Sequence, residues 1–202
     1  MSTSEDITRC YLPIYLNGGS SPELSQLDQD VGGSCYSPRV ATYLGSVQSP
    51  VGQIRVVSDG TSITSIQWGT EAPSAIPDDP LLTEAIQQLM AYFAGTLTVF
   101  DLPIDLGTQT DASRAVLMTL FDTVSSGETV TYGELAVRSG TAVPARGIGA
   151  IMGANPLPIV VPCHRVVAGD GLGGYSGGLP GRGLETKRWL LEHEGALPLA
   201  LF

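Results

Sequence analysis

The sequence predicts an α+β fold: a small antiparallel sheet with one helix in the first half, and a mostly helical second half built around a helix-turn-helix. Three observations carry this. Short β-prone segments separated by turn signals crowd residues 42–68. Apolar residues recur at helical spacing from Pro80 onward. Two short helical segments after Thr131 are joined by Ser139-Gly140, as in a helix-turn-helix, with a plain helical hairpin as the competing reading.

Residues 1–38 are polar and turn-rich (Asn17-Gly18-Gly19-Ser20-Ser21-Pro22, then Gly32-Gly33-Ser34) and show no sustained period; they read as a loosely ordered extension with a short strand at Tyr11–Leu16. Thr42–Val47, Ile54–Ser58 and Ile63–Trp68 read as three antiparallel strands, with Asp59-Gly60 as a hairpin turn. Pro80 opens a helix carrying Leu82, Ala85, Ile86, Leu89, Met90 and Phe93 on one face, and Gly95 stands where a C-terminal cap belongs. Phe100–Leu106 is a short extended segment. The polar linker 107–111 follows, so the expected units are an extension (1–38), an N-terminal α+β domain (39–107) and a C-terminal domain (108–202).

In that last domain, Val116, Leu117, Leu120, Phe121 and Val124 share a helix face. Thr131-Tyr132-Gly133-Glu134 has the form of a capping box, starting a short helix to about Arg138. The next helix begins near Pro144 and stops before Asn155-Pro156. It is poor in helix formers: Gly147, Gly149 and Gly153 each cost roughly 1 kcal/mol relative to Ala. Two readings stand side by side. The small residues pack against another helix, or they form a smooth face pressed into a groove, with Arg146 as the one projecting cation.

The chain of 202 residues carries a formal charge of −10, which at face value argues against a nucleic-acid partner. The average hides an asymmetry. The first 113 residues hold Arg9, Arg39 and Arg55 against thirteen acids, whereas the remainder holds seven of each sign. Any polyanion should therefore meet the second half. No apolar run is long enough to span a bilayer, and the acidic start MSTSEDITRC lacks the features of a signal peptide. Cys10, Cys35 and Cys163 are too few for a disulfide framework, so the expectation is a cytoplasmic protein.

Chemistry concentrates after Asn155. Ile159-Val160-Val161 reads as a buried strand, followed by Pro162-Cys163-His164-Arg165. A thiol becomes a nucleophile as thiolate, and one of only two histidines in the chain adjoins this cysteine to accept its proton. The competing reading is a buried cysteine acting as a small hydrophobe, with His164 on the other side of the strand. Two His and three scattered Cys supply no spaced metal-ligand set, so no metal and no cofactor are expected. The run Gly169-Asp170-Gly171-Leu172-Gly173-Gly174 imitates a dinucleotide fingerprint but opens no helix and reads as a loop. Tyr175 and Ser176 extend that loop, and residues 185–194 form a closing helix with Leu190 and Leu191 buried.

Residues 155–166, from Asn155-Pro156-Leu157-Pro158 through Pro162-Cys163-His164-Arg165-Val166, resemble the active-site signature of the O6-alkylguanine-DNA alkyltransferases. Residues 128–135 and 187–194 extend the resemblance, as do the weaker Ser49-Pro50-Val51-Gly52, Tyr92-Phe93-Ala94-Gly95 and Phe100-Asp101-Leu102-Pro103. The resemblance implies an RNase H-like N-terminal domain and a winged-helix-like C-terminal one. It also implies a monomer that repairs double-stranded DNA by moving an alkyl group from O6-alkylguanine, and from O4-alkylthymine, to its own cysteine in a single turnover. On that pattern Cys163 is the acceptor, His164 the base acting through a water, Glu194 the acid orienting it, and Asn155 the residue fixing the preceding turn. Tyr132 contacts phosphate and guanine, the carbonyls of Cys163 and Val166 accept from the guanine amino group, and Tyr175 and Ser176 edge the pocket. Arg146 is the finger replacing the flipped base, with Ala145, Gly147 and Gly149 lying along the minor groove. The protein would be nucleoid-associated when bound.

The sequence departs from the pattern in places. Gly153 stands where some relatives have Arg, and about five extra residues near Pro180–Leu184 bear on the pocket role of Ser176. Two other classes fit parts of the pattern: a non-catalytic lesion-binding protein, whose known relatives lack the cysteine, and a sequence-specific helix-turn-helix regulator.

Overall fold

The computed structural model of the chain describes residues 41–69 and 78–197. The expected strand at Tyr11–Leu16 and the extension 1–38 lie outside the described residues. Strands β1 (Tyr43–Ser49), β2 (Gly52–Ser58) and β3 (Ile63–Trp68) form an antiparallel sheet in chain order. Alternation sets its buried face: Val47, Ile54, Val56, Ile63 and Ile66 point inward. In the β2–β3 turn the Asp59 carboxylate accepts from the backbone N–H groups of Thr61 and Ser62, and Gly60 takes a positive φ of 87°. These hydrogen bonds hold the Asp59 carboxyl below its usual range, that from the Thr61 hydroxyl counting most.

Helix α1 (Pro80–Phe93) packs on the sheet through Leu82, Ala85, Ile86 and Leu89. Its start is doubly specified, by Pro80 in the first turn and by Asp79, whose side chain accepts from Leu81 N–H. The segment after α1 lies beside β3: Ile63 N–H donates to Pro103 O, and Asp105 N–H to Ile63 O.

The second half is helical. Helix α2 (Asp111–Thr123) buries Val116, Leu117 and Leu120. Helix α3 (Tyr132–Arg138) carries the complete capping box, with Thr131 and Glu134 satisfying each other's backbone N–H groups. Helix α4 (Ala145–Gly153) follows and buries Ile148 and Met152 against α2 and α3. A two-residue parallel pair, β4 (Val130–Thr131) with β5 (Val166–Val167), ties the start of α3 to the chain just past the cysteine. Helix α5 (Gly183–His193) closes the core with Leu190 and Leu191; it starts two residues earlier than the sequence suggests. The observed architecture is the expected α+β arrangement of a small antiparallel sheet followed by a helical unit.

One expected element is absent. Ile159-Val160-Val161 is a tight turn rather than a strand, in which Val161 N–H donates back to Leu157 O at 2.8 Å and Pro158 bridges to Val161. Its residues are apolar because the turn is buried, and burial alone does not distinguish turn from strand. The chain then enters a single 3₁₀ turn, Cys163–Arg165, that carries the chemistry-bearing residues.

Candidate active site

The turn before the cysteine is held by one side chain. Asn155 Nδ2 donates to Val161 O at 2.8 Å, and Asn155 Oδ1 accepts from Leu157 N–H at 3.0 Å. Within this clamp Ile159 adopts φ +77°, a left-handed conformation that is strained for a β-branched residue and costs about 1–3 kcal/mol. The clamp and the flanking prolines stabilise that conformation, and the geometry delivers Cys163 to the floor of a cavity.

The cavity, of about 430 Å³, is walled by Tyr132 on α3, by Gly149, Met152 and Gly153 on α4, and by Gly174, Tyr175 and Ser176 on the glycine-rich loop. Size does not single it out. A hollow of about 550 Å³ runs along residues 175–184, but its lining holds no cysteine, histidine or carboxylate. The α4 glycines have different neighbours. A Cβ on Gly147 would meet Val143 at 2.8 Å and one on Gly149 would sit 3.8 Å from Tyr132, whereas one on Gly153 would meet nothing within 4 Å. Close packing thus accounts for Gly147, and the other two keep the cavity wall low. Arg146 is exposed at the start of α4 and makes no side-chain hydrogen bond or ion pair among the described residues; Ala145 beside it is also exposed.

Behind Cys163 lies a buried network. His164 is fully buried, and its Nε2 lies 2.9 Å from Glu194 Oε1. Arg165 grips the same carboxylate from Nε (2.8 Å) and Nη2 (3.0 Å), while its Nη1 donates to Val124 O. Tyr92, on α1, adds a third donor to Oε1 at 2.8 Å. Burial works against the Glu194 anion, but the hydrogen bonds from His164 and Arg165 outweigh it and hold the carboxyl far below its usual range. An ionised Glu194 accepts, so His164 carries its proton on Nε2 and Nδ1 keeps a lone pair. That Nδ1 is buried and has no partner among the described residues. Burial lowers the imidazole pKa against the pull of Glu194, so the ring is neutral at rest. Burial likewise pushes the Cys163 thiol up, opposed by a hydrogen bond from the Asn155 side chain and by the charge of Lys187.

Lys187 is fully buried, with Nζ donating to Val166 O and to Gly174 O at 2.9 Å. Burial draws its pKa down to about 8. Val166 is itself buried and does not line the cavity; its carbonyl is engaged by Lys187, and that of Cys163 accepts from Val166 N–H. Tyr132 reaches toward Gly174 O at 3.5 Å. Ser176 stays at the rim, its hydroxyl donating to Gly153 O at 3.3 Å, and the extra residues at 180–184 fall beyond it.

The structure therefore brings together Cys163, Tyr132, Tyr175 and Ser176 at one cavity, with Gly149 in its wall, Asn155 in the turn that precedes the cysteine, and His164 and Glu194 behind it. Sequence reasoning missed Tyr92, Arg165 and Lys187 as parts of this site.

Comparison with known proteins gives a consistent picture. Residues 42–106 match the family described as 6-O-methylguanine DNA methyltransferase, ribonuclease-like domain. Residues 111–196 match its DNA-binding domain. The chain is similar to the Methylated-DNA--protein-cysteine methyltransferase of Mycobacterium tuberculosis, at 40% identity over 155 residues, covering 74% of this chain and 90% of that one. It is similar to the Homo sapiens protein of that name at 34% identity, covering 79% of this chain and 77% of that one. Among solved structures, the M. tuberculosis O6-methylguanine methyltransferase superposes with a TM-score of 0.66 at 38% identity, covering 80% of this chain and 97% of that one. A structure of the M. tuberculosis OGT in complex with DNA superposes at 0.65 and 38% identity, covering 76% and 92%.

Proposed function

The chain belongs to the 6-O-methylguanine DNA methyltransferase family, and on that premise we propose how its own residues repair DNA by alkyl transfer. The substrate is double-stranded DNA bearing O6-alkylguanine, with O4-alkylthymine as a second lesion, and the protein acts as a monomer. Helix α4 lies along the minor groove, with Ala145, Gly147 and Gly149 on the side toward DNA. The damaged base turns out of the stack into the cavity above Cys163, and Arg146 fills the space it leaves. Turning a base out costs a few kcal/mol, least where an O6-alkyl group has already spoiled pairing.

In the cavity Tyr132 contacts the purine, the Cys163 carbonyl accepts from its amino group, and Tyr175 and Ser176 bound its O6 edge; the Val166 carbonyl, outside the lining and held by Lys187, fixes that cation near the thiol instead. His164 Nδ1 takes the thiol proton, directly or through one water, and Glu194 stabilises the imidazolium that forms. The thiolate attacks the alkyl carbon in line with O6. The S–C bond forms, the C–O6 bond breaks, and the electron pair leaves with the purine, which is then protonated. Thiol and O6-alkylguanine thus become thioether and guanine. None of the surrounding groups activates water against a thioether, so each molecule reacts once. Cells would hold such a protein in the cytoplasm, on the nucleoid when DNA-bound.

The observation that carries this reading is the cavity with Cys163 at its floor and the His164–Glu194 pair behind it. The test is intact-mass measurement after incubation with a duplex containing O6-methylguanine. A gain of one methyl group mapping to Cys163 is expected, and an unchanged mass under conditions that leave the protein folded would defeat the proposal.

A further inference from the structure

Consecutive residues at the end of α5 grip one residue of α1 from both sides. The Tyr92 hydroxyl donates to Glu194 Oε1, and the Tyr92 carbonyl lies 2.7 Å from His193 Nε2. A carbonyl only accepts, so His193 carries its proton on Nε2 and donates it. The same carbonyl accepts from Gly95 N–H at 2.9 Å, where α1 ends. The His193 ring is held on its faces as well. It stacks on Trp189 with centroids 4.8 Å apart and planes 14° apart, and meets Tyr92 edge to face at 5.2 Å. Trp189 in turn packs against Phe93 at 6.0 Å. His193 thus ties the last turn of α5 to the last turn of α1 by a hydrogen bond set in an aromatic cluster.

Glu194 needs such a tie. It is the C-cap of α5, where a helix frays and where the dipole disfavours an anion. Its carboxylate is also contested. Arg165 binds both oxygens, Nε to Oε2 and Nη2 to Oε1, whereas His164 and Tyr92 share Oε1 alone. A bidentate Arg–carboxylate pair is the stronger attachment. A carboxylate released to shift therefore follows Arg165, and the contact with His164 is the one that lengthens.

We infer that His193 is a positioning residue for alkyl transfer: by anchoring the end of α5 to the Tyr92 carbonyl it keeps Glu194 within hydrogen-bond distance of His164. His193 does not line the cavity and acts only through Glu194. The tie is made at the carbonyl, so it survives loss of the Tyr92 hydroxyl. The inference rests on the alkyl-transfer reading above and adds a residue to it.

The experiment follows single-turnover methyl transfer from an O6-methylguanine duplex between about pH 6 and about pH 9. His193→Phe keeps a ring and loses the donor. His193→Asn carries an amide that stands in for Nδ1 and is too short to reach the carbonyl. In both, Glu194 supports the imidazolium less, so the rate at neutral pH should fall about tenfold and its rise with pH should move up by about one unit. Arg165 and Lys187, the other charges acting on His164, are unchanged in these variants. His193→Gln places an amide N–H where Nε2 stood and should return the rate to within about twofold of wild type. Val56→Ala, in the sheet core, loses stability without touching the tie, and its rate per folded molecule and its profile should match wild type. An unmoved profile in whichever of His193→Phe and His193→Asn folds, a loss that His193→Gln does not restore, or the same shift in Val56→Ala would overturn the inference while leaving alkyl transfer intact. A wild type that transfers nothing would instead remove the reading on which it rests.

Discussion

Replacing Tyr92 by Phe removes one hydroxyl and leaves the ring in place. That hydroxyl donates to Glu194 Oε1 at 2.8 Å from a residue only 1% exposed. A hydrogen bond to a charged group contributes about 1.5–3 kcal/mol. Glu194 keeps His164 and both Arg165 contacts, so it is not left bare and no larger penalty arises. For a chain of this size each kcal/mol moves the melting temperature by about 2–4 °C, giving an expected drop of roughly 3–12 °C. The chemistry responds differently. With one donor fewer, Glu194 becomes a better acceptor for the Nε2 proton and stabilises the imidazolium at least as well. Methyl transfer per folded molecule therefore holds or rises. Circular dichroism melting and single-turnover transfer well below both transitions read the two effects separately. A shift under about 1 °C, or a fall in rate as large as that of Glu194→Gln, would refute the assignment.

The other predictions follow from the same geometry. Cys163→Ser should abolish the mass gain yet still bind duplex DNA, because the hydroxyl is far less acidic than the thiol; retained transfer would be seen directly by mass spectrometry. Arg146→Ala should cripple transfer from duplex DNA while sparing reaction with free O6-benzylguanine, and equal loss on both would rule out a role in base extrusion. Lys187→Met should slow transfer and move the rise of the rate with pH upward, since the thiolate loses a nearby cation. Lys187 also has a stability signature. Its folded pKa of about 8 lies below the unfolded value of about 10.4, so between these the unfolded chain binds more protons and stability rises with pH. Urea unfolding at pH 8 and pH 10 should show this rise in wild type relative to Lys187→Met, and parallel curves would exclude it.

What the sequence made legible was local. The Thr131–Glu134 capping box, the helix start at Pro80 and the Asp59-Gly60 turn are set by residues within three of one another, and each stands in the structure as expected. The cysteine and histidine were visible because rare residue types sit adjacent. The failure at Ile159–Val161 has the same root: an apolar run reports burial, and only Asn155, four to six residues earlier, bends it into a turn. Tyr92 meets Glu194 across 102 residues, Arg165 meets it across 29, and Lys187 reaches Val166 across 21. No period or motif links positions so far apart, so these residues looked like core or surface when they are the wiring behind the cysteine.

That wiring also reframes the charge of the second half. Of its seven cations, Arg165 is committed to Glu194, Lys187 to two carbonyls, Arg182 to Glu185, and Arg188 lies 3.8 Å from Glu192. Arg114 and Arg138 lean on backbone carbonyls, which leaves Arg146 as the exposed cation of this half with no partner among the described residues. Only Arg182 and Arg188 of the exposed cations are offset by carboxylates, and phosphate attraction, which is the same for damaged and undamaged DNA, supplies none of the discrimination. The selection must come from the cavity, and the resting state of Cys163 fits that demand. Burial keeps the thiol protonated and the imidazole neutral, so the nucleophile is held back from chance electrophiles. Only a ligand that fills the cavity and presents an alkyl carbon to Sγ draws the proton toward His164. Under the single-turnover mechanism proposed above, a suppressed thiol beside a ready base gives specificity that a permanently ionised one would forfeit.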